Sequence, residues 1–129
     1  MNLPSNFEDL VEEANALSLY QKLIQQLNKD LLYANIDVEF DNDVLPTSLK
    51  YMLHETIYTL IQEKFAEYLN LLYIADVSEA KVKDLDGSDV LKLSESVTFL
   101  ILQREWQKVW LKSQYSQKKK RTNGNQASE

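Results

Sequence analysis

The sequence predicts an all-α protein, an irregular bundle of three long helices with one or two short ones. Apolar residues recur at helical spacing along most of the chain, and only two glycines occur among its 129 residues. Because tight turns depend on glycine, this scarcity disfavours an all-β fold and excludes the glycine-rich phosphate loops of nucleotide-binding proteins. The length and the 44% apolar content suit one globular domain.

Capping residues and apolar stripes predict the first two helices. Ser5 or Asn6 is placed to cap an acidic helix that ends near Ala16, with carboxylates in the early turns where the helix dipole favours them. Ser18 is expected to cap the second helix. The apolar stripe of that helix comprises Tyr20, Leu23, Ile24, Leu27, Leu31 and Ala34.

The segment that follows alternates apolar and acidic residues, as a strand does. Its apolar members are Ile36, Val38 and Phe40, and its acidic members are Asp37, Glu39 and Asp41. Since no second strand is predicted to pair with it, we interpret the segment at about 36–43 as an extended loop that holds three apolar residues against the bundle. A strand completed across a dimer is the alternative.

The third long helix is expected to begin at Pro46, since proline suits a first helical turn. Its pattern continues without a breaker for about 25 residues. Residues 68–75 are apolar nearly all round, which is typical of a helix buried in a core or an interface.

A short helix and the last long helix are predicted after residue 77. Ser78 is placed to cap the short helix, which is expected to reach Leu85 and to end at Gly87 in the left-handed conformation. Ser88 is then expected to cap the last helix, which ends near Tyr115.

The end of the chain differs in composition from the rest. Residues 118–129 begin with Lys-Lys-Lys-Arg and show no apolar period, which is typical of a disordered tail. We therefore predict a single helical domain over residues 1–116 and a disordered basic C-terminal tail over residues 117–129. The net charge of −6 conceals this contrast, because residues 1–117 carry −9 and residues 118–129 carry +3.

The inventory of reactive side chains argues against an enzyme. The chain has no cysteine and one histidine, which excludes disulfides, thiolate metal sites and cysteine nucleophiles. His54-Glu55 matches the start of a zinc-protease motif, but Tyr58 stands where the second histidine is needed. No serine in the sequence is identifiable as a partner of His54. We expect no catalytic residue, no metal and no cofactor.

Residues 84–95 also match part of a calcium loop. They place oxygen-bearing side chains at the first, third, fifth and twelfth positions of such a loop. Asp89 occupies the sixth position, however, where a calcium loop needs glycine. A helix stop followed by a helix cap explains the same residues, so we interpret the segment as a junction between helices.

These observations favour a non-enzymatic helical interaction module that self-associates, as a homodimer, or binds a protein partner. Its motivation is the broad apolar circumference of two helices, near residues 68–75 and 97–102, together with the absence of catalytic groups. Two long helices can hide much of this surface within one bundle, so the pattern alone does not require a dimer. The candidate apolar interface comprises Tyr68, Leu72, Tyr73, Phe99 and Leu102.

The alternative is a nucleic-acid accessory protein that uses the last helix and the basic tail. Its candidate anion-binding residues are Arg104, Lys108, Lys112, Lys118, Lys119, Lys120 and Arg121. The first three recur every four residues on one helix face, beside Trp106 and Trp110. The simpler explanation is that the cations favour the helix dipole and the tryptophans pack in the core. A short basic tail alone gives weak, salt-sensitive contact with nucleic acid.

Neither a membrane span nor a secretory signal is predicted. The longest apolar stretches fall far below about 18 residues, and the N-terminal residues lack a basic region followed by an apolar run. We therefore expect a cytoplasmic protein with no membrane partner.

Overall fold

The computed structural model describes the backbone of residues 2–127 and the side chains of residues 2–118. In this part of the chain the regular elements are all helices, which confirms the predicted all-α class. They are α1 (Phe7–Ala16), α2 (Tyr20–Tyr33), α3 (Pro46–Glu63), α4 (Phe65–Ala75), α5 (Glu79–Lys83) and α6 (Val90–Ala127).

Helix α6 is the axis of the bundle, because α1, α2, α3 and α4 all pack against it. Helix α2 runs antiparallel to α6, since Asp30 pairs with Lys108 while the earlier Gln26 pairs with the later Lys112. The largest fully buried side chains are Leu10, Leu23, Ile24, Leu27, Leu31, Leu49, Leu53, Ile57, Leu71, Ile101, Leu102 and Trp106. Removing each such side chain from water contributes about 1.5–3 kcal/mol, which makes this core the main source of stability.

The loop between α2 and α3 holds its apolar residues against the bundle, as its alternating pattern predicts. Ile36 and Phe40 are buried, Val38 is half-buried, and the acidic residues between them face solvent. The Asn28 side chain donates to the Phe40 carbonyl oxygen at 2.8 Å and accepts from the Phe40 N–H at 2.9 Å. The Asn28 amide thus satisfies the N–H and C=O groups of Phe40, which in a sheet would pair with a neighbouring strand.

The third predicted helix is interrupted, which the sequence analysis missed. Lys64 has φ −139° and ψ 60°, and it separates α3 from α4. The buried stripe of α3 ends at Leu60, so a continuous helix would turn the ammonium of Lys64 toward the core. The break leaves Lys64 exposed and lets α4 bury a different face.

Three helices end at a residue in the left-handed conformation, and none of these residues is glycine. Ser18, Asn35 and Asp76 have φ of 58°, 62° and 63°. After each of them, the next N–H donates to the carbonyl oxygen five residues earlier at 2.8–3.0 Å, which is the Schellman motif. Ser18 therefore ends α1, and the prediction that it caps α2 is wrong. Gly87 does not have a positive φ, so its predicted left-handed role is also wrong.

The predicted N-terminal caps are partly confirmed. Asn6 accepts from the Asp9 N–H at 2.8 Å, and Ser78 accepts from the Lys81 N–H at 3.4 Å. At the start of α6 the cap is Asp89, whose Oδ1 accepts from the N–H groups of Leu91 and Lys92 at 3.0 and 3.2 Å. Ser88, the predicted cap, donates its own N–H to Asp86 instead.

Helix α6 continues to Ala127, past Tyr115 where the apolar pattern predicts its end. The first of the added residues, 117–121, are glutamine, lysine and arginine, which are good helix formers, whereas the later ones include Gly124 and two asparagines, which are not. The disordered state of residues 117–129 stays a prediction. The side chains beyond Lys118 lie outside the described residues.

Gly87→Ala tests the conformation of this glycine. A Cβ at this position meets nothing within 4 Å, and φ is not positive, so alanine fits without strain. We expect the free energy of unfolding to rise by about 0.4–1 kcal/mol, because alanine restricts the unfolded chain. Urea titration followed by circular dichroism measures this change.

Asn35→Ala is the contrasting variant, because Asn35 does have a left-handed backbone. We expect its free energy of unfolding to fall by about 1 kcal/mol. A loss of stability in Gly87→Ala as large as that in Asn35→Ala would show that Gly87 needs a positive φ after all.

Candidate functional site

A group of polar side chains is buried where α2 packs against α6. Asp30 is 4% exposed and Glu105 is fully buried. The Lys108 ammonium bonds to Asp30 and lies 3.4 Å from Glu105 Oε1. Gln26 donates to Asp30 Oδ1 at 3.2 Å, and its own Oε1 accepts from Lys112 at 2.7 Å. We call these five residues the α2–α6 polar cluster.

The polar cluster holds two carboxyl groups but only one ammonium that reaches them. Burial, together with the hydrogen bond and charge of Asp30, raises the pKa of Glu105 to about 10 although Lys108 opposes the shift. Glu105 is therefore protonated at neutral pH, which lets it donate to Asp30. The alternative is a buried carboxylate. In that form its partner would be the Lys108 ammonium, 3.4 Å from Oε1, which is already paired with Asp30.

Asp30 and Glu105 are buried residues that were not predicted, although their spacing indicates burial. Asp30 follows Leu27 by three residues, and Glu105 follows Ile101 by four. Both carboxyl groups therefore lie on the apolar stripes of their helices. Glu105 stands at a core position of the helix that also carries Lys108. This combination of a carboxyl group on the apolar stripe with a nearby lysine is the signal that predicts the α2–α6 polar cluster.

Two of the predicted anion-binding residues form ion pairs inside the molecule, in addition to the bond between Lys112 and the neutral Gln26. Arg104 donates to the backbone carbonyl oxygen of Asp76 at 3.0 Å and to its Oδ2 at 2.7 Å, at the end of α4. Lys108 belongs to the polar cluster. Both cations therefore have partners within the molecule, and contact of either with an external anion stays a prediction.

Of the remaining predicted anion-binding residues, some have side chains that the structure describes and others do not. Lys112 and Lys118 are exposed on α6. Lys119, Lys120 and Arg121 lie outside the residues whose side chains are described. Of the two tryptophans, Trp106 is fully buried and Trp110 is half-buried, as the core-packing explanation requires.

The predicted apolar interface is also divided by burial. Tyr68 is 4% exposed and Leu102 is 1% exposed, so both belong to the core rather than to an accessible surface. Burial also raises the pKa of Tyr68. Leu72 and Phe99 are half-buried against the core, and Tyr73 is 86% exposed. Of the five candidates, only Tyr73 presents most of its side chain to solvent.

An exposed apolar row lies on α4. Phe65, Leu69 and Tyr73 are 54%, 49% and 86% exposed, and their spacing of four residues aligns them along one helix face. We call these three residues the α4 apolar stripe. The sequence analysis missed Phe65 and Leu69 because it continued the third helix through Lys64, whereas the break there changes which face of α4 is buried.

His54 has a serine partner that the sequence did not reveal. Its Nε2 lies 2.7 Å from Ser94 Oγ on α6, and the Ser94 hydroxyl donates to the Leu91 carbonyl oxygen at 2.8 Å. The Ser94 hydroxyl thus lies between the imidazole and the backbone of its own helix. Since Ser94 is fully buried, the pair joins α3 to α6 inside the bundle.

The segment that matched a calcium loop is a helix junction. Hydrogen bonds from Ser88, chiefly from its N–H, hold the pKa of Asp86 below its usual value. Asp89 caps α6, and Glu95 lies within that helix. Over the described residues, no three side chains of the histidine, aspartate and glutamate types are grouped so that they could hold a metal ion.

Comparison of the chain with protein families, curated proteins and solved structures finds no match. None of the helices in the described part of the chain is both long and apolar enough to cross a membrane.

Glu105→Gln tests the protonation of the polar cluster, because glutamine has the shape of protonated glutamic acid but does not ionise. In the wild type, the folded state keeps a proton that the unfolded state releases above the ordinary carboxyl pKa of 4.5. The free energy of unfolding should therefore fall by about 1.4 kcal/mol per pH unit until the folded pKa, about 10, is reached. Without this ionisation, Glu105→Gln should become progressively more stable than the wild type as pH rises.

Denaturant titrations between about pH 5 and about pH 9 measure the two profiles. Glu95→Gln is the matched control, since Glu95 is an exposed glutamate on the same helix and its removal should leave the profile parallel to the wild type. Parallel profiles for Glu105→Gln and the wild type would contradict a buried, protonated Glu105.

Proposed function

We propose that the protein is a non-enzymatic interaction module that self-associates through the α4 apolar stripe. The observation that carries the proposal is the alignment of Phe65, Leu69 and Tyr73 on one solvent-facing side of α4. Single exposed apolar residues are common on protein surfaces, but a contiguous row is typical of an interaction site.

The charge around the stripe favours a second copy of the chain as the partner. Every exposed residue of α4 is uncharged, namely Phe65, Ala66, Leu69, Asn70 and Tyr73. Elsewhere the acidic body makes two copies repel each other, since residues 1–117 carry −9. A neutral apolar face is the kind of surface that two copies can share with the least repulsion, in a two-fold arrangement that uses the same patch twice.

The size of the stripe predicts a weak dimer. Three partly exposed side chains supply only part of the roughly 800 Å² that each partner buries in a stable interface. The complex is therefore expected to be reversible and dependent on concentration.

Leu69→Glu tests this interface, because it places a carboxylate at the centre of the stripe. We expect the wild type to show a monomer–dimer equilibrium at high micromolar concentration in sedimentation equilibrium. The variant should remain a monomer, since dimerisation would bury two like charges across a two-fold axis.

Leu111→Glu is the matched control, because Leu111 and Leu69 are both 49% exposed. Leu111 lies away from α4. It follows Arg104, the residue of α6 that contacts the end of α4, by seven residues, or about 10 Å along the axis of α6. The control should dimerise as the wild type does. A wild type that stays monomeric at high micromolar concentration, or equal dimer loss in both variants, would exclude the proposed interface.

A further inference from the structure

A groove of about 540 Å³ lies between α2 and the second half of α6, on the surface beside the polar cluster. Its lining includes Lys22, Gln26 and Lys29 from α2 and Lys112, Ser113 and Gln117 from α6. Three of them are lysines, and we call the groove the lysine groove. Of these three, only Lys112 was predicted to bind an anion, because Lys22 and Lys29 have no basic neighbours in the sequence.

The lysine groove is positively charged although the protein as a whole is acidic. None of its described lining residues is aspartate or glutamate. Lys22 and Lys29 lie seven residues apart on α2, two turns or about 10 Å along the axis. Lys112 stands across the groove on α6, and all three lysines are exposed.

The polar cluster fixes the position of Lys112 at the groove. Asp30 is occupied by Lys108 and by the amide nitrogen of Gln26, so the amide oxygen of Gln26 remains to accept from Lys112. A neutral amide holds the Lys112 ammonium without cancelling its charge. The ammonium therefore adds its full charge to those of Lys22 and Lys29.

We propose that the lysine groove binds single-stranded nucleic acid through its phosphodiester backbone. Lysine ammonium groups bind phosphate as point charges, and serine and glutamine side chains add neutral donors along the same groove. No described lining carboxylate would repel a phosphate there.

The extent of the positive charge favours a polymer over a small anion. Gln117 is the last lining residue on α6, and the sequence continues from it directly into Lys-Lys-Lys-Arg. A strand that carries one charge per nucleotide can follow such a basic track, as in other backbone-binding grooves. A double helix would bring more phosphate charge close to the acidic body, so a single strand is the better fit.

The test uses the full-length protein and a fluorescein-labelled oligothymidylate, with binding measured by fluorescence anisotropy. The groove variant combines Lys22→Gln, Lys29→Gln and Lys112→Gln. The control variant combines Lys64→Gln, Lys83→Gln and Lys92→Gln, which are exposed lysines outside the groove. Both variants lose three positive charges, so they separate the effect of position from that of net charge, and circular dichroism verifies that both remain folded.

We expect the groove variant to bind at least about tenfold more weakly than the wild type at low salt, and the control variant to bind nearly as the wild type does. In a plot of log affinity against log salt concentration, the slope of the groove variant should be smaller in magnitude than that of the wild type by about two. Each of the three lost phosphate contacts on a single strand contributes about 0.7 to this slope.

Three results would overturn the proposal. The first is no binding of the oligothymidylate by the wild type at low salt, and the second is equal weakening in both triple variants. The third is equally tight binding of labelled polyglutamate with the same loss in the groove variant, which would assign the groove to acidic polypeptides. The monomeric Leu69→Glu variant should bind the oligonucleotide as the wild type does if the groove acts independently of the α4 apolar stripe.

Discussion

The buried contact of one ammonium with two carboxyl groups fixes how α2 lies against α6. Lys108 neutralises Asp30, so Glu105 avoids a second buried negative charge by keeping its proton. The contact is specific to one register, because Gln26 and Lys112 meet one turn further along the two antiparallel helices. A shift of either helix by one turn would leave buried carboxyl groups without partners, which costs several kcal/mol.

Both candidate surfaces depend on the placement of helices around α6. The α2–α6 register brings Lys22 and Lys29 to the same groove as Lys112. Arg104 on α6 bonds to Asp76 at the end of α4. This contact helps to fix which face of α4 is buried, and the α4 apolar stripe lies on the opposite, exposed face. The polar contacts of α6 thus explain which basic residues remain at the surface and which do not.

Much of the fold follows from the sequence, but the buried polar interactions do not. The alternation at Ile36, Val38 and Phe40 predicts an extended loop held to the bundle, because burial of one face is a local property of the pattern. The break at Lys64 was missed because no proline or glycine marks it; it depends on which face of α4 the rest of the bundle buries. Glu105 was missed for a similar reason, since its protonation depends on Asp30, which is distant in sequence.

The glycine scarcity that favoured an all-α fold has a structural counterpart in the helix ends. Ser18, Asn35 and Asp76 take the left-handed positions that glycine usually occupies, and asparagine and aspartate tolerate this conformation better than most residues. Asp76 is further held by Arg104, so the strained residue at the end of α4 is also a tertiary contact. A glycine there would relieve the backbone but lose the ion pair.

The two proposed surfaces should respond to salt in opposite directions, which gives a way to separate them. Binding of a phosphodiester strand in the lysine groove releases counterions and weakens as salt rises. Association through the neutral α4 apolar stripe is opposed by repulsion between two acidic bodies, which salt screens. Rising ionic strength should therefore favour the dimer and disfavour the nucleic-acid complex. If the same surface carried both activities, a single salt dependence would govern them.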